Sequence, residues 1–540
     1  MSARRILYLW LSSAMMIGLQ LAVSSLRQDS MSRAAEPKDK PSQATGEPAE
    51  PAKKSAAKKS AAKDPAAKDP AAKEAREKEQ QEEFELLELF ADTLDQVQRN
   101  YVKEVTRRQL MEAAIRGMLS ELDPYSNFIP PQQLDRFKVE VESEFGGVGI
   151  QVSVENGQLR VISPLVGTPA YRAGVMAGDL IVEIDGESTK EITLDEAVRR
   201  MKGPVDTPVT LKLLHLNAME PETITLKREN IRVETVLGDE RNPDDSWRWM
   251  SDPEKKIAYI RVIGFGRHTS EDLQKVLQQL ADQKLRGLIL DLRFNPGGLL
   301  SSAIEVSDLF IAKGRIVSTE GRNVEARVWD AEEKGTFEGF PMAVLVNRYS
   351  ASASEIVAAC LQDHHRAVII GERTWGKGSV QNIVQLEGGA SALKLTTAGY
   401  HRPNGKNIHR FPNAKDSDDW GVLPDPGFEV KLSGKEMTQL ITQRRQKDVV
   451  RKNGEAKPEA AEAAEFVDPQ LQKALEYIRA QLDAQKPPEE PKAKAEPKPE
   501  TKPDTKPEGK PVAKPESKAE EPKGVPKPDA EQGQPKPQKE

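Results

Sequence analysis

Asn347-Arg348-Tyr349-Ser350-Ala351-Ser352-Ala353-Ser354-Glu355 follows the apolar run Met342 to Val346 and leads into a helical pattern with Ile356, Val357, Cys360 and Leu361 apolar. The stretch reads as strand, turn, helix, with three serines in the turn. Such a turn lifts a hydroxyl out of the chain and points free backbone N–H groups at a reacting atom, the geometry that an acyl-transfer nucleophile needs. The same alternation repeats on either side. Ile257 to Val262, Gly287 to Leu292 and Ala367 to Ile370 are further apolar strands, separated by helical patterns near residues 270–283, 299–310 and 354–361. Continuous apolar strands separated by helices predict an α/β core with a mainly parallel sheet. In such sheets sites collect at the carboxyl ends of strands, and both the serine turn and the turn Asn295-Pro296-Gly297-Gly298 fall on that edge.

Upstream of this core the period changes. Gly146-Gly147-Val148-Gly149-Ile150-Gln151-Val152 opens a strand, Leu159-Arg160-Val161-Ile162 is another, and Asp179 to Gly186 a third. Residues 193–201 read as a helix with Leu194, Ala197, Val198 and Met201 on one face, before a last strand at Val209 to Leu214. With Pro169-Ala170-Tyr171-Arg172-Ala173-Gly174 and Gly178-Asp179-Leu180-Ile181 between these elements, residues 141–228 resemble a PDZ domain, a β-rich, partly open barrel inserted ahead of the core. The resemblance implies that the loop Gly147, Val148, Gly149 and Ile150 captures a peptide's terminal carboxylate and that the peptide adds as a strand against Ile150 to Val154. Val198 and Met201 would line the pocket for its last side chain. A free C-terminus and an internal segment are both open as ligands. A plain glycine-rich turn would account for Gly147 and Gly149 but not for the rest of the segment. No G-x-G-x-x-G joins a strand to a helix, which excludes a dinucleotide fold.

The two ends of the 540-residue chain cannot pack. Arg4 and Arg5 precede an apolar run from Ile6 to Val23, so residues 1–27 read as a secretory signal. The run is nearly long enough to span a bilayer, and Ala22-Val23-Ser24 is only a passable cleavage site, so a cut signal and a retained anchor are both open. Either way the chain is expected to be exported to a bacterial periplasm or cell envelope, held at the inner membrane in the second case. Residues 28–80 form a low-complexity Ala/Lys linker, and 486–540 a disordered Pro/Lys/Glu tail. Neither can bury enough apolar area to offset its ordering entropy. Interleaved acids and a net charge of -6 make these tracts solvated spacers and argue against nucleic acid as a partner.

Helical spacing recurs at Leu86, Leu87, Phe90, Leu94 and Val97 and at Leu110, Ala114, Met118 and Leu122, giving an N-terminal helical region over 81–140. A C-terminal one is expected over 436–485. Their apolar stripes lie outside the PDZ and α/β cores, so they are expected to mediate self-association into a homo-oligomer. The single cysteine, Cys360, excludes an internal disulfide and reads as packing. No Cys-x-x-Cys pair or His-Glu-x-x-His is present, and the adjacent His364 and His365 diverge on a helix, so neither a metal nor another cofactor is expected.

Three serines compete at the turn. Ser352-Ala353-Ser354-Glu355 is also a helix capping box, which would account for Ser352 without chemistry. A second feature favours chemistry: Gly371-Glu372-Arg373-Thr374-Trp375-Gly376-Lys377-Gly378 places a lysine between glycines just after another strand end, on the same edge as the serines.

The ensemble resembles the carboxy-terminal processing (tail-specific) peptidases, a Ser/Lys protease family. The resemblance runs from Phe84 to Leu482 and includes Leu122-Asp123-Pro124-Tyr125-Ser126, the PDZ segment, Asp291-Leu292-Arg293-Phe294-Asn295-Pro296-Gly297-Gly298, the serine turn, Gly376-Lys377-Gly378-Ser379-Val380-Gln381 and Gly421-Val422-Leu423-Pro424-Asp425. It implies a peptidase core over 229–435, with the middle serine, Ser352, as nucleophile. The family's lysine follows twenty-five residues later, and 377 − 352 gives that separation here. Lys377 would be the general base and Gln381 the group that positions it. A lysine accepts a proton only when neutral, so burial must lower its pKa from about 10.4. Gln381 lies about 13 Å along an extended strand from Lys377, so a bend at Gly378 or one helical turn must shorten the path. The oxyanion donors would be the N–H of Ala353 and that of Gly297 or Gly298.

The expected partners are protein or peptide substrates with exposed C-terminal tails. A Ser-His-Asp hydrolase using His364, His365, His401 or His409 is the enzyme rival, but it lacks a G-x-S-x-G elbow. A PDZ-based envelope adaptor that has lost catalysis is the non-enzyme rival. It should lack Ser352 or Lys377, and both are present.

Overall fold

The computed structural model describes residues 70–484, apart from 135–136, 138–143, 217 and 451–465. The signal or anchor, the linker up to residue 69 and the tail from 485 onward lie outside the described residues. Among those described, no helix is long and apolar enough to cross a membrane.

Helices α1 (Pro70–Asn100) and α2 (Arg107–Ser120) open the chain, α1 beginning inside the stretch assigned to the linker. Thr106 caps α2 with a complete capping box to Gln109. After them Asp123 accepts from the N–H groups of Tyr125 (2.7 Å) and Ser126 (2.8 Å), a turn that feeds the short strand β1 (Asn127–Ile129).

The PDZ domain follows. A two-stranded ribbon of β2 (Glu144–Gly147) and β8 (Glu229–Arg232) carries the antiparallel sheet β3 (Ile150–Glu155), β4 (Gln158–Pro164), β5 (Leu180–Ile184), β6 (Pro208–Leu214) and β7 (Glu222–Lys227). Helix α3 (Leu194–Met201) closes the barrel. Val148, Leu159, Val161, Ile181, Leu211 and Met201 fill the core between them. The domain is tied to the rest of the chain by Tyr171 to Asp245 (2.6 Å) and Arg232 to Asp272 (2.6 Å).

The third part contains β9 (Ile257–Val262), α4 (Thr269–Asp282), β10 (Gly287–Asp291), α5 (Leu300–Asp308), β11 (Arg315–Gly321), β12 (Val324–Asp330), β13 (Met342–Val346), α6 (Ala353–Asp363), β14 (Val368–Gly371), β15 (Ser379–Leu386) and β16 (Ser391–His401). Strands β9, β10, β13 and β14 are parallel neighbours in that order, and the pairs at Val236–Leu237 and Met250–Asp252 add antiparallel to β9. Both faces of these strands are covered, which is why their sequence is apolar without alternation. Leu288, Leu290, Val344 and Ile369 pack on α4, α5 and α6, while Ile257, Ile289, Leu345 and Ile370 face the other way.

Two expectations need correction. The sheets are not mainly parallel: the parallel strands form the middle of a mixed sheet, and a second sheet of β1, β16, β11, β12 and β15 is antiparallel throughout. Its strands bury one face only, so they carry no continuous apolar run. β12, for example, contains no fully buried residue. Nor is the C-terminal stripe outside the core. After α7 (Gly434–Asp448), helix α8 (Pro469–Ala484) lays Ala474, Leu475, Ile478 and Leu482 on the free face of the central sheet. Burying each large side chain stabilises this arrangement by about 1.5–3 kcal/mol. The stripe on α1 does remain in solvent, with Phe84, Leu87 and Leu89 more than half exposed.

Candidate active site

Three loops leave the carboxyl ends of adjacent parallel strands: residues 292–298 after β10, 347–352 after β13 and 372–378 after β14. Strand order alone sets the glycine turn, the serine turn and the lysine loop side by side. Tertiary contacts then separate the three serines. The Ser350 hydroxyl donates to the Leu292 carbonyl (2.8 Å) and accepts from Asn347 N–H (2.9 Å), and the Ser354 hydroxyl donates to the Asn295 carbonyl (2.8 Å). Both are used in holding one turn against the other. Ser352 stands at φ 57° and ψ −115°, a strained backbone for a residue with a Cβ, and its hydroxyl makes no cap hydrogen bond of normal geometry. Half of the capping box is tight, since Ser352 N–H donates to Glu355 Oε2 at 2.7 Å. The Glu355 N–H goes to the Ser352 carbonyl (2.9 Å), and its approach to the Ser352 hydroxyl completes the capping box without hydrogen-bond geometry.

Gly297 and Gly298 occupy different places. A Cβ on Gly297 would stand 2.8 Å from Ser352 Cβ and 2.9 Å from Ala353 N, at φ +105°, so only glycine lets the turn come this close to the serine. Its own N–H is engaged by Asn295 Oδ1 at 2.9 Å. Gly298 pairs with Phe265 through the flanking Gly297 carbonyl and Leu299 N–H, so its own N–H faces away from Phe265. Among the described residues, neither that N–H nor the Ala353 N–H at the start of α6 donates to another protein group.

Lys377 is 2% exposed. Its ammonium lies 5.1 Å from the centre of the Tyr125 ring, brought over it by the turn before β1. Trp375 Nε1 donates to the Tyr125 hydroxyl (3.3 Å), and the His409 ring stands edge-on to the same ring at 6.1 Å. Burial holds the Lys377 pKa well below the usual lysine value, with nearby Lys394 adding to the effect and Glu355 and Asp123 opposing it. The sequence reading missed Tyr125 as a wall of this site.

Gln381 is buried, but the structure does not bring it into a hydrogen bond with Lys377. Neither a helical turn nor a bend at Gly378 joins the two: strand β15 carries a bulge between Val380 and Gln381, the Nε2 goes to Ser379 Oγ (2.9 Å), and Oε1 has no partner among the described residues. The histidines of the rival reading scatter. His364 sits at the far end of α6, bonded to the Arg315 carbonyl (2.7 Å), and His365 lies just beyond it, with His401 at the end of β16. Only His409 approaches, and its Nδ1 accepts from Gly378 N–H (3.3 Å). Burial lowers the His409 pKa, Asp123 opposes that and Lys377 reinforces it. Cys360 is fully buried, its thiol pushed up to about 12 by burial, and is inert packing. Among the described residues no cluster of three or more His, Cys, Asp or Glu could hold a metal ion.

In the PDZ domain β3 is an edge strand, bonded to β4 on one side and open toward α3 on the other. The carbonyls of Val148 and Gly149 accept from Ala170 N–H (3.0 Å) and Leu165 N–H (2.9 Å). Their own N–H groups donate to nothing within the described residues. Gly147 is buried in the ribbon, and Ile150 and Val198 are half-buried. Met201 is 5% exposed, inside the domain core rather than on an open wall.

Sequence profiles of known families match the chain in three places. Peptidase family S41 matches residues 256–425, the PDZ domain residues 160–214, and the activating protease CtpB N-terminal domain residues 52–132. A carboxy-terminal-processing protease of Bartonella bacilliformis is 40% identical over 372 residues, covering 68% of this chain and 82% of that protein. A carboxyl-terminal-processing protease of Synechocystis sp. is 36% identical, over 62% of this chain and 75% of its own length. The carboxy-terminal processing protease CtpA of Bacillus subtilis is 33% identical, over 64% and 75% respectively.

Proposed function

Because the chain belongs to Peptidase family S41, among the carboxy-terminal processing serine peptidases that carry a PDZ domain, we propose that it cleaves tailed protein substrates with Ser352 as nucleophile and Lys377 as general base. The observation that carries this reading is the buried, charge-disfavoured Lys377 one strand end away from Ser352. Neutral Lys377 Nζ takes the Ser352 proton as Oγ attacks the scissile carbonyl, and the oxyanion that develops is met by the N–H groups of Ala353 and Gly298. The lysine then gives the proton to the leaving amine. It takes another from the water that attacks the acyl-enzyme and returns it to Ser352 Oγ as the acyl C–O bond breaks, which frees Ser352 and leaves the lysine neutral. The buried Gln381 Oε1, without a hydrogen-bond partner among the described residues, supports a role for Gln381 in accepting from the Lys377 ammonium once that proton arrives.

The pH dependence has a definite sign. A base whose folded pKa lies below the usual lysine value works only above that pKa, so kcat/KM rises with pH through it. A profile governed instead by a group near pH 6.5 and abolished in His409→Ala would transfer the base to histidine.

The PDZ groove supports selection of substrates by their C-terminal end, read through the Val148 and Gly149 amides beside an open edge strand. Amidating the C-terminus of one tailed substrate removes the charge and an acceptor oxygen. Its kcat/KM is expected to fall at least about tenfold. Equal values for acid and amide would show that the domain does not read the carboxylate.

Residues 1–27 support export, with the chain free or anchored according to whether the signal is cut, and cell fractionation with N-terminal sequencing checks it. The solvent-exposed stripe of α1 supports self-association. A chain lacking residues 70–104, which keeps Tyr125 and the site, is expected to sediment as a smaller species than the full chain. Unchanged sedimentation per protomer removes the idea.

A further inference from the structure

One carboxylate and one phenol span both halves of the site. Glu355, fully buried, accepts at Oε2 from the N–H groups of Ser352 (2.7 Å) and Lys377 (2.9 Å), and at Oε1 from Gly376 N–H (2.7 Å) and the Thr374 hydroxyl (2.6 Å). A capping box needs only the first of these. The other three donors come from the loop after β14. The Thr374 oxygen in turn accepts from Val422 N–H (2.7 Å). All four contacts place donors on the Glu355 carboxyl and favour its charged form, while burial, the larger influence, pushes its pKa above the usual glutamate value. Tyr400 on β16, 2% exposed, sets its hydroxyl against the carbonyl oxygens of the same two residues, Ser352 (3.1 Å) and Lys377. The nucleophile and the base are thus gripped by their N–H groups on one side and their C=O groups on the other.

We propose that Glu355 and Tyr400 are positioning residues that clamp the nucleophile turn and the base loop together, with the Glu355 charge placed behind the base. The proposal rests on the reading of Ser352 and Lys377 as the catalytic pair. Its physical basis is that these two loops come from different strand ends and have no covalent reason to keep their spacing, whereas displacing reacting groups by about 1 Å can cost about a hundredfold in rate. The clamp also bears on the charge of the base. The charged and titratable groups facing Lys377 are Glu355 on α6, Lys394 and Tyr400 on β16, Asp123 and Tyr125 in the turn before β1, and His409 in the loop after β16. Of these only Glu355 and Asp123 favour its protonated form.

Steady-state kinetics of the full chain on one tailed substrate across pH test the clamp. Glu355→Gln turns one carboxylate oxygen into an NH2 group, which then faces two donors instead of accepting from them. The kcat is expected to fall about a hundredfold with KM changed less than about threefold, because the tail is held elsewhere, on the PDZ domain. Removing the negative charge also disfavours protonated Lys377, so the alkaline midpoint moves to lower pH. General loosening of the fold would lower kcat without moving that midpoint. Tyr400→Phe keeps every charge, so kcat is expected to fall about tenfold with the midpoint unmoved.

Both variants keeping kcat within threefold of wild type at an unmoved midpoint would overturn the proposal. Should Glu355→Gln fail to fold, an unchanged kcat in Tyr400→Phe overturns it alone. Ser352→Ala and Lys377→Ala, assayed alongside, keep the two readings apart. Hydrolysis surviving in either sinks the catalytic pair. Its loss in both, with Glu355→Gln and Tyr400→Phe unchanged, sinks only the clamp.

Discussion

Replacing Lys377 by alanine is expected to lower kcat on the order of 10⁴-fold or more, and Ser352→Ala by at least as much, while both variants keep a cooperative melt. The two belong together in the proposed step: the hydroxyl needs a base, and a buried amine disfavoured as a cation can supply one. Among the described residues Lys377 makes no side-chain ion pair, and burial works against its charge, so its removal costs the fold only side-chain packing and the contact with the Tyr125 ring. Lys377→Arg sharpens the test. Arginine preserves the cation but cannot be deprotonated, so a role as base predicts that it is as inactive as the alanine variant. Substantial activity in Lys377→Arg would mean that the site uses the positive charge rather than the lone pair.

The second large effect is expected at Gly297. An alanine there would place its Cβ 2.7 Å from the Ala351 carbonyl, 2.8 Å from Ser352 Cβ and 2.9 Å from Ala353 N, at φ +105°. The turn and the start of α6 must move apart, and with them two of the groups that meet at the oxyanion. Loss of one oxyanion donor costs about 10²–10³ in rate, so kcat/KM should fall by that amount, on top of about 1–3 kcal/mol of backbone strain. Gly335→Ala is the control. Its φ is +91° but no atom lies within 4 Å of the added Cβ, so it carries the strain without the collision. Assays of the folded fraction of each variant separate the two costs. Equal turnover by the two variants would mean that the Gly297 contact with Ser352 has no part in the chemistry.

Residues that act within one continuous stretch were legible in the sequence. The parallel strands β9, β10, β13 and β14 announce themselves because both faces are buried and every position must be apolar, and their shared edge follows from that alone. The edge already contained the glycine turn, the serines and Lys377. What was not legible depends on contacts between distant segments. The antiparallel sheet escaped because its strands alternate or stay exposed. Which serine is free could not be read, since Ser350 and Ser354 are used up by the carbonyls of Leu292 and Asn295, on a different loop. Tyr125 lies 250 residues from the Trp375 it bonds. Glu355 read as a helix cap because its first partner is three residues away, and its other donors, from the lysine loop, became visible only in three dimensions.

Ser352, and neither of the serines beside it, is the proposed nucleophile. The most direct test of this assignment is the intact mass of one substrate bearing an apolar C-terminal tail, followed over time with wild type, Ser350→Ala, Ser352→Ala and Ser354→Ala under the same conditions. Losing a structural hydrogen bond costs about 1 kcal/mol, so the Ser350 and Ser354 variants should still shorten the substrate, more slowly than wild type. With Ser352→Ala the substrate should keep its full mass. Truncated products accumulating with Ser352→Ala, while Ser350→Ala or Ser354→Ala leaves the substrate whole, would contradict the account.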